Sequence, residues 1–251
     1  MSLLCLSNNT KYYRAVFLCR KNVLEENLQK VSLFSWHSFF KVYDRFIDKK
    51  QTFKEEDNMA NVTIFGKGNM GQAIGKNFED AGNTVAYIGS ETVKDEVTVG
   101  EIVVLAVPYP AVSSILADYE EELKGKIIVD ITNPVDFDTF DDLVVPADSS
   151  AAAVIAKAAS DSKVVKGFNT TFAATLATKK VAGEHQTTVL LASDDQEAKE
   201  VVTNALNGSD LAVLDAGSLK RARELEALGF LQISLAAAEK ISWTGGFGVF
   251  H

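Results

Sequence analysis

A doubly wound α/β fold, built on a parallel sheet with a smaller C-terminal α/β region, is predicted by three observations on this 251-residue sequence. A β-branched run is followed at once by a glycine turn and a helical spacing of apolar residues. Short apolar runs then alternate with helical segments, as in strand–helix–strand units. One of those runs is apolar at every position, as a parallel strand covered on both faces must be.

The first strand is Asn61–Phe65, and the turn reads Gly66-Lys67-Gly68-Asn69-Met70-Gly71. A helix follows, with Met70, Ile74 and Phe78 on one face. Gly66 permits a tight turn, Gly68 lets the backbone approach a diphosphate, and Gly71 lets the helix pack close to the strand. The helix N-terminus adds free N–H groups and a partial positive charge, so the segment is read as a dinucleotide cradle. Ala81-Gly82-Asn83 ends the helix, and Thr84–Ile88 is the second strand.

The end of that strand faces the adenosine ribose in such folds, and it reads Gly89-Ser90-Glu91-Thr92-Val93-Lys94. Glu91 suits the free hydroxyl of NAD, whereas Ser90, Thr92 and Lys94 can build a pocket for the 2′-phosphate of NADP. The residues alone leave both open, together with a plain solvated Glu91–Lys94 pair. Too few residues separate Ser90 from Glu101 for a third strand and its crossover helix, so the sheet is expected to be trimmed on the adenosine side.

The uniformly apolar strand starts at Ile102 and ends in Ala106-Val107-Pro108-Tyr109, and a helix is expected over 111–123. The strand from Lys126 ends in Asp130-Ile131-Thr132-Asn133-Pro134. Both ends reach the carboxyl edge of the sheet, where ligands bind, although the prolines also serve simply to end strands. Ala106, Val107, Pro108, Tyr109, Asn133 and Pro134 therefore join Gly66–Gly71, Ser90 and Lys94 as expected cofactor contacts. After the strand Lys163–Lys166, Phe168, Asn169 and Thr170 form a polar break and are the expected substrate contacts, with Asn169 holding a carboxamide or carbonyl. Asp194-Asp195 precede a helix over 197–205 and suit capping. The expected domains are 59–163 for the dinucleotide and 164–251 for substrate and dimerisation.

Composition narrows the classes. A net charge of −9 argues against a nucleic-acid backbone binder. Two cysteines make no disulfide framework, and no His/Cys cluster has metal-ligand spacing, so a reducing cytoplasm and no metal are expected. No apolar run approaches the roughly 20 residues needed to span a bilayer.

A seam lies at Met59. All 16 Gly and 4 Pro fall from 59 onward, while Cys5 and Cys19 fall before it. The first 58 residues carry net charge +3, and the remainder −12. Lys54-Glu55-Glu56-Asp57-Asn58-Met59 can be encoded by a purine-rich stretch before an ATG, so Met59 is expected to be the biological start. The alternative is a real amphipathic helical extension around Val23–Ile47.

Taken together, Gly66–Gly71, Ala106–Tyr109, Asp130–Pro134, Val164–Thr170 and Asp215–Glu226 resemble the coenzyme F420-dependent NADP oxidoreductase family over nearly all of 59–251. The resemblance implies a Rossmann domain, NADP(H) and commonly a homodimer. The family's phosphate site uses Ser followed by a basic residue; Ser90 matches, but Glu91 stands where the base is expected, leaving Lys94 or Lys67 to take over.

Hydride transfer between a nicotinamide and a flavin-like ring needs proximity and facing more than a side-chain acid or base, so no catalytic residue is assigned. His185 is read as a solvated loop residue, and no Gly-x-Ser-x-Gly elbow occurs. Trp243–Val249 combines aromatics with glycines and suits a lid, a C-terminal strand or a dimer contact. Arg221, Arg223, Glu224 and Glu226 are spaced for intrahelical pairing. Two functions follow: an oxidoreductase passing hydride between NADP(H) and a small acceptor, or a non-catalytic NADP(H) sensor.

Overall fold

The computed structural model describes residues 59–94, 98–136, 138, 139 and 141–250. These all belong to the second of two units into which the chain divides, between Asp57 and Asn58. The expected helix around Val23–Ile47 lies outside the described residues.

Local sequence and structure agree at the first unit. Strand β1 (Asn61–Phe65) enters the glycine turn, helix α1 (Asn69–Asp80) follows, and β2 (Thr84–Ile88) returns parallel to β1. Asn83 closes the connection: its Oδ1 accepts from Ala60 N–H, and its amide donates to the carbonyls of Phe78 and Ala205.

The chain then passes almost directly into β3 (Ile102–Leu105), which pairs with the other side of β1, so the expected trimming is present. The single helix expected over 111–123 is instead a 3₁₀ turn at Tyr109–Ala111, α2 (Val112–Asp118) and α3 (Glu120–Leu123). The break falls at Tyr119, whose buried ring meets Phe65 edge-on at 4.8 Å.

Strand β4 (Ile127–Asp130), α4 (Ala151–Ala158) and β5 (Lys163–Lys166) extend the parallel sheet. Beyond β5 come α5 (Ala173–Thr178) and a two-residue pairing of β6 (Lys180–Val181) with β7 (His185–Gln186). Then β8 (Thr188–Ala192), α6 (Gln196–Ala205), β9 (Ala212–Gly217) and α7 (Ala222–Ala237) complete the fold. Asp195 caps α6 by accepting from Ala198 N–H, as expected of the acidic pair.

The sheet order is β2-β1-β3-β4-β5-β8-β9, with β8 and β9 parallel to each other and antiparallel to the rest. The C-terminal α/β region thus continues the same sheet, and the expected boundary at 163/164 falls within β5. Alternate side chains of each strand feed two cores. Val62, Ile64, Val104, Val129 and Val165 face α1, α5 and α6, while Phe65, Val103, Leu105, Ile128 and Val164 face α2 and α4. Apolar residues at every strand position are what a doubly covered sheet requires.

One charged cluster sits inside this apolar frame. Lys166, wholly buried at the end of β5, reaches Asp130 at 2.8 Å, Glu226 of α7 at 2.8 Å and the Thr132 carbonyl at 2.5 Å. Glu226 is not paired within its own helix, contrary to the sequence reading. Its carboxylate accepts from the N–H groups of Ala151 and Ala152 at the start of α4, where the helix dipole favours negative charge. Burial pushes the Glu226 carboxyl above its ordinary range, against the pull of Lys166. Two carboxylates share one ammonium, so losing the ammonium leaves both uncompensated in the interior. Lys166→Met is expected to lower unfolding free energy by about 3–5 kcal/mol in urea titrations, and a loss under about 1 kcal/mol would contradict this assignment.

Candidate active site

The site grows from the turn between β1 and α1. Gly66 has φ +111°, and a Cβ there would stand 2.2 Å from the Ala106 carbonyl oxygen. A Cβ at Gly71 would stand 2.2 Å from the Gly66 carbonyl oxygen. These two glycines are demanded by the protein's own packing. Gly68 is different: its φ is −72°, and an added Cβ would meet nothing within 4 Å. What glycine leaves there is bare backbone beside open space.

No side chain caps α1, and the first helical bond runs from Gln72 N–H to the Gly68 carbonyl. The amides of Asn69, Met70 and Gly71 are therefore those the helix itself cannot use. Gln72 also donates to the Lys67 carbonyl at 2.8 Å, steadying the turn. This is a fitting cradle for a nucleotide diphosphate.

From the turn, a cleft of about 730 Å³ runs along the carboxyl edge of the sheet. Gly68, Asn69 and Met70 form one end; Ala106–Tyr109 and Ile131–Asn133 form the edge; Phe172, Ile233 and Trp243 close the other end. Trp243 packs on Phe172 with ring centroids 4.9 Å apart, so the C-terminal tail lies at the cleft as an irregular segment rather than a strand. Burial, helped by the charge of Glu226, raises the Tyr109 hydroxyl above its ordinary pKa, keeping it a neutral donor.

Asn133 and Asn169 form a reciprocal pair at the ends of β4 and β5. Asn133 donates to the Asn169 carbonyl at 2.8 Å, and Asn169 donates to Asn133 Oδ1 at 2.9 Å and to the Leu225 carbonyl at 2.8 Å. Gly229 of α7 allows that helix to press against the pair, since a Cβ there would stand 2.5 Å from Asn133 Oδ1. The Asn169 amide N–H groups are thus spoken for. Its Oδ1, like the Thr132 hydroxyl oxygen, is buried without a hydrogen-bond partner, and both residues line the cleft. Two orphaned polar atoms beside an apolar wall suit a ligand carrying an amide or imide edge.

Other expected site residues lie elsewhere. Phe168 is wholly buried, holds φ +60° and packs against Phe78, so it belongs to the core and not to a substrate surface. Thr170 sits under the tail, its carbonyl accepting from Gln232. Pro134 is buried, and its carbonyl accepts from Val144 N–H. Lys94 turns away from the end of β2: it pairs with Glu122 at 3.0 Å, donates to the Asp118 carbonyl and lies over the Tyr119 ring. Thr92 is occupied as well, its hydroxyl accepting from Gly89 N–H. Ser90 is exposed beside Glu91, and Glu91 pairs with Lys67, not with Lys94. His185 is half-exposed and meets Phe250 away from the cleft.

Several lining residues were not signalled. Thr132 lies within the strand end Asp130–Pro134 but carries no motif of its own. Ile233 and Ala237 come from a helix that is apolar around most of its circumference, so periodicity could not say which side faces a ligand.

Comparison with known proteins agrees with this geometry. The family model described as "NADP oxidoreductase coenzyme F420-dependent" matches residues 87–134. The F420-dependent NADP reductase of Methanocaldococcus jannaschii is 34% identical over 162 residues, covering 63% of this chain and 71% of that protein. The metalloreductase STEAP3 of Rattus norvegicus is 28% identical over 201 residues, covering 73% of this chain but 39% of that protein. Among solved structures, a candidate F420-dependent NADP-reductase from Arthrobacter sp. FB24 superposes with a TM-score of 0.65 at 24% identity, covering 76% of this chain and all of that one. That likeness shows the fold, and the identity to the Methanocaldococcus protein shows the lineage: the chain belongs to the F420-dependent NADP reductase family.

Proposed function

We propose that this protein transfers a hydride between NADP(H), held along the carboxyl edge of the sheet, and a small planar acceptor of the flavin or deazaflavin type. The observation that carries the reading is one continuous cleft from the glycine turn to Trp243, of a size usual for small-molecule sites. Family membership supports NADP as the nucleotide.

In this reading the amides of Asn69–Gly71 and the bare backbone at Gly68 receive the diphosphate, and Lys67 and Ser90 stand at the adenosine end. Ala106–Tyr109 support the nicotinamide end, with Asn169 Oδ1 and the Thr132 hydroxyl as partners for a carboxamide or imide edge. A bound nicotinamide supplies the hydride. The protein's part would be to bring the two rings together, and Met70, Phe172, Ile233 and Trp243 line the cleft with apolar surface against which planar rings could pack. No side chain is needed as an acid or base for that transfer. A homodimer in a reducing cytoplasm is part of the proposal, supported by exposed Leu231, Phe247 and Phe250 and by a sequence without a disulfide framework.

NADPH oxidation followed at 340 nm against a panel of flavins, deazaflavins and quinones is expected to show turnover with at least one acceptor; nucleotide binding without turnover across the panel would contradict the enzyme reading. Gly68→Ala should leave thermal stability unchanged or slightly raised, because its backbone suits alanine, while weakening NADPH binding roughly tenfold or more. Unaltered affinity would remove Gly68 from the cradle. Trp243→Ala is expected to raise KM for the acceptor several-fold more than KM for NADPH, and an equal effect on both would place Trp243 away from the acceptor.

A further inference from the structure

We infer that Lys67 and Glu91 form a switchable pair at the adenosine end of the site, through which it accepts NADH as well as NADPH. Glu91 would take the ribose hydroxyl of NADH, and on swinging aside would release Lys67 to the ribose phosphate of NADPH. The inference rests on the nucleotide-binding part of the proposed function, and on four observations.

First, the end of β2 is a tight turn, with Thr92 N–H donating to the Gly89 carbonyl at 3.1 Å and Gly89 N–H donating to the Thr92 hydroxyl at 2.9 Å. Second, Glu91 folds back over that turn. A Cβ at Gly89 would stand 2.6 Å from Glu91 Oε2, so glycine at this position makes room for the carboxylate. Third, the carboxylate is held there by Lys67, which reaches across from the glycine turn to Glu91 Oε1 at 2.5 Å, while Ser90 Oγ lies 3.5 Å from Oε2. Lys67 thereby also holds the Glu91 carboxyl below its ordinary range.

Fourth, neighbouring cations are committed elsewhere. Lys94 pairs with Glu122, and Lys76 and Lys179 both pair with Asp80. Among the described residues Lys67 is left as the cation beside the end of β2, and there it pairs with a carboxylate that is itself 67% exposed. Such an exposed pair is weakly held, so opening it costs little. An acid at this place ordinarily accepts from a ribose hydroxyl, and a base ordinarily receives a ribose phosphate; here both stand together, each masking the other. A phosphate monoester, with about −1.5 to −2 charge at neutral pH, would be repelled by Glu91 until the carboxylate moved, and would then meet Lys67 and Ser90.

Isothermal titration of the full chain with NADPH and NADH separately tests this. Wild type is expected to bind both. Glu91→Gln should tighten NADPH about tenfold and weaken NADH about tenfold, because it removes both the repulsion and the charged acceptor. Lys67→Gln should weaken NADPH by a similar factor and leave NADH within about twofold. Both residues are on the surface, and an unchanged melting temperature would confirm that the variants fold. If wild type binds either nucleotide and Glu91→Gln leaves the ratio of the two affinities within twofold, the pair does not set specificity and the inference fails alone. If wild type binds neither, the nucleotide reading of the cleft fails and takes this inference with it.

Discussion

The close approach of the β1–α1 turn to the end of β3 is the constraint from which the site follows. With no Cβ at residues 66 and 71, the turn lies directly against the Ala106 carbonyl, and the start of α1 is brought over the carboxyl edge of the sheet. Unsatisfied amides, the positive end of a helix dipole and the ends of β3 and β4 then converge on one cleft. A side chain at either glycine would stand 2.2 Å from a backbone carbonyl oxygen, so the turn could not keep this arrangement. Gly68 shows the contrast: an added Cβ there would meet nothing within 4 Å among the described residues, so the packing of the turn does not require glycine at that position.

A second device joins the far side of the cleft to the same sheet. Lys166, Asp130 and Glu226 tie the ends of β4 and β5 to α7, and Glu226 ties α7 in turn to the start of α4. Because α7 carries Gly229 against the two asparagines and Ile233 against the cleft, the buried charges set the position of that wall of the cleft. Such a cluster is a costly way to hold a helix, because three charges must leave water to form it.

Much of this was legible in sequence. Local rules place β1, the glycine turn, α1 and β2, because turn chemistry and periodicity agree over a short stretch. The trimmed sheet follows from counting residues between Ser90 and Glu101. Family membership follows from ordered motifs. What was not legible depends on contacts between distant residues. Glu226 has helical spacing to Arg223, yet its partners are Lys166 and the N–H groups of Ala151 and Ala152. Lys94 is near Glu91 in sequence, yet it joins Glu122 because the turn at Gly89–Thr92 carries it toward Tyr119. Phe168 follows a strand and precedes a polar run, which reads as a site; its left-handed backbone sends the ring into the core instead, leaving Asn169 as the part of that segment that borders the cleft.

The central claim is that the first-turn amides of α1 and the strand ends beside them receive one dinucleotide. Amide chemical shifts of isotopically labelled protein, followed through a titration with NADPH, test it most directly. The largest changes are expected at Gly68, Asn69, Met70 and Gly71, with further changes at Ala106, Val107, Thr132 and Asn133. Saturable changes confined to other parts of the molecule, or none at millimolar nucleotide, would contradict the account.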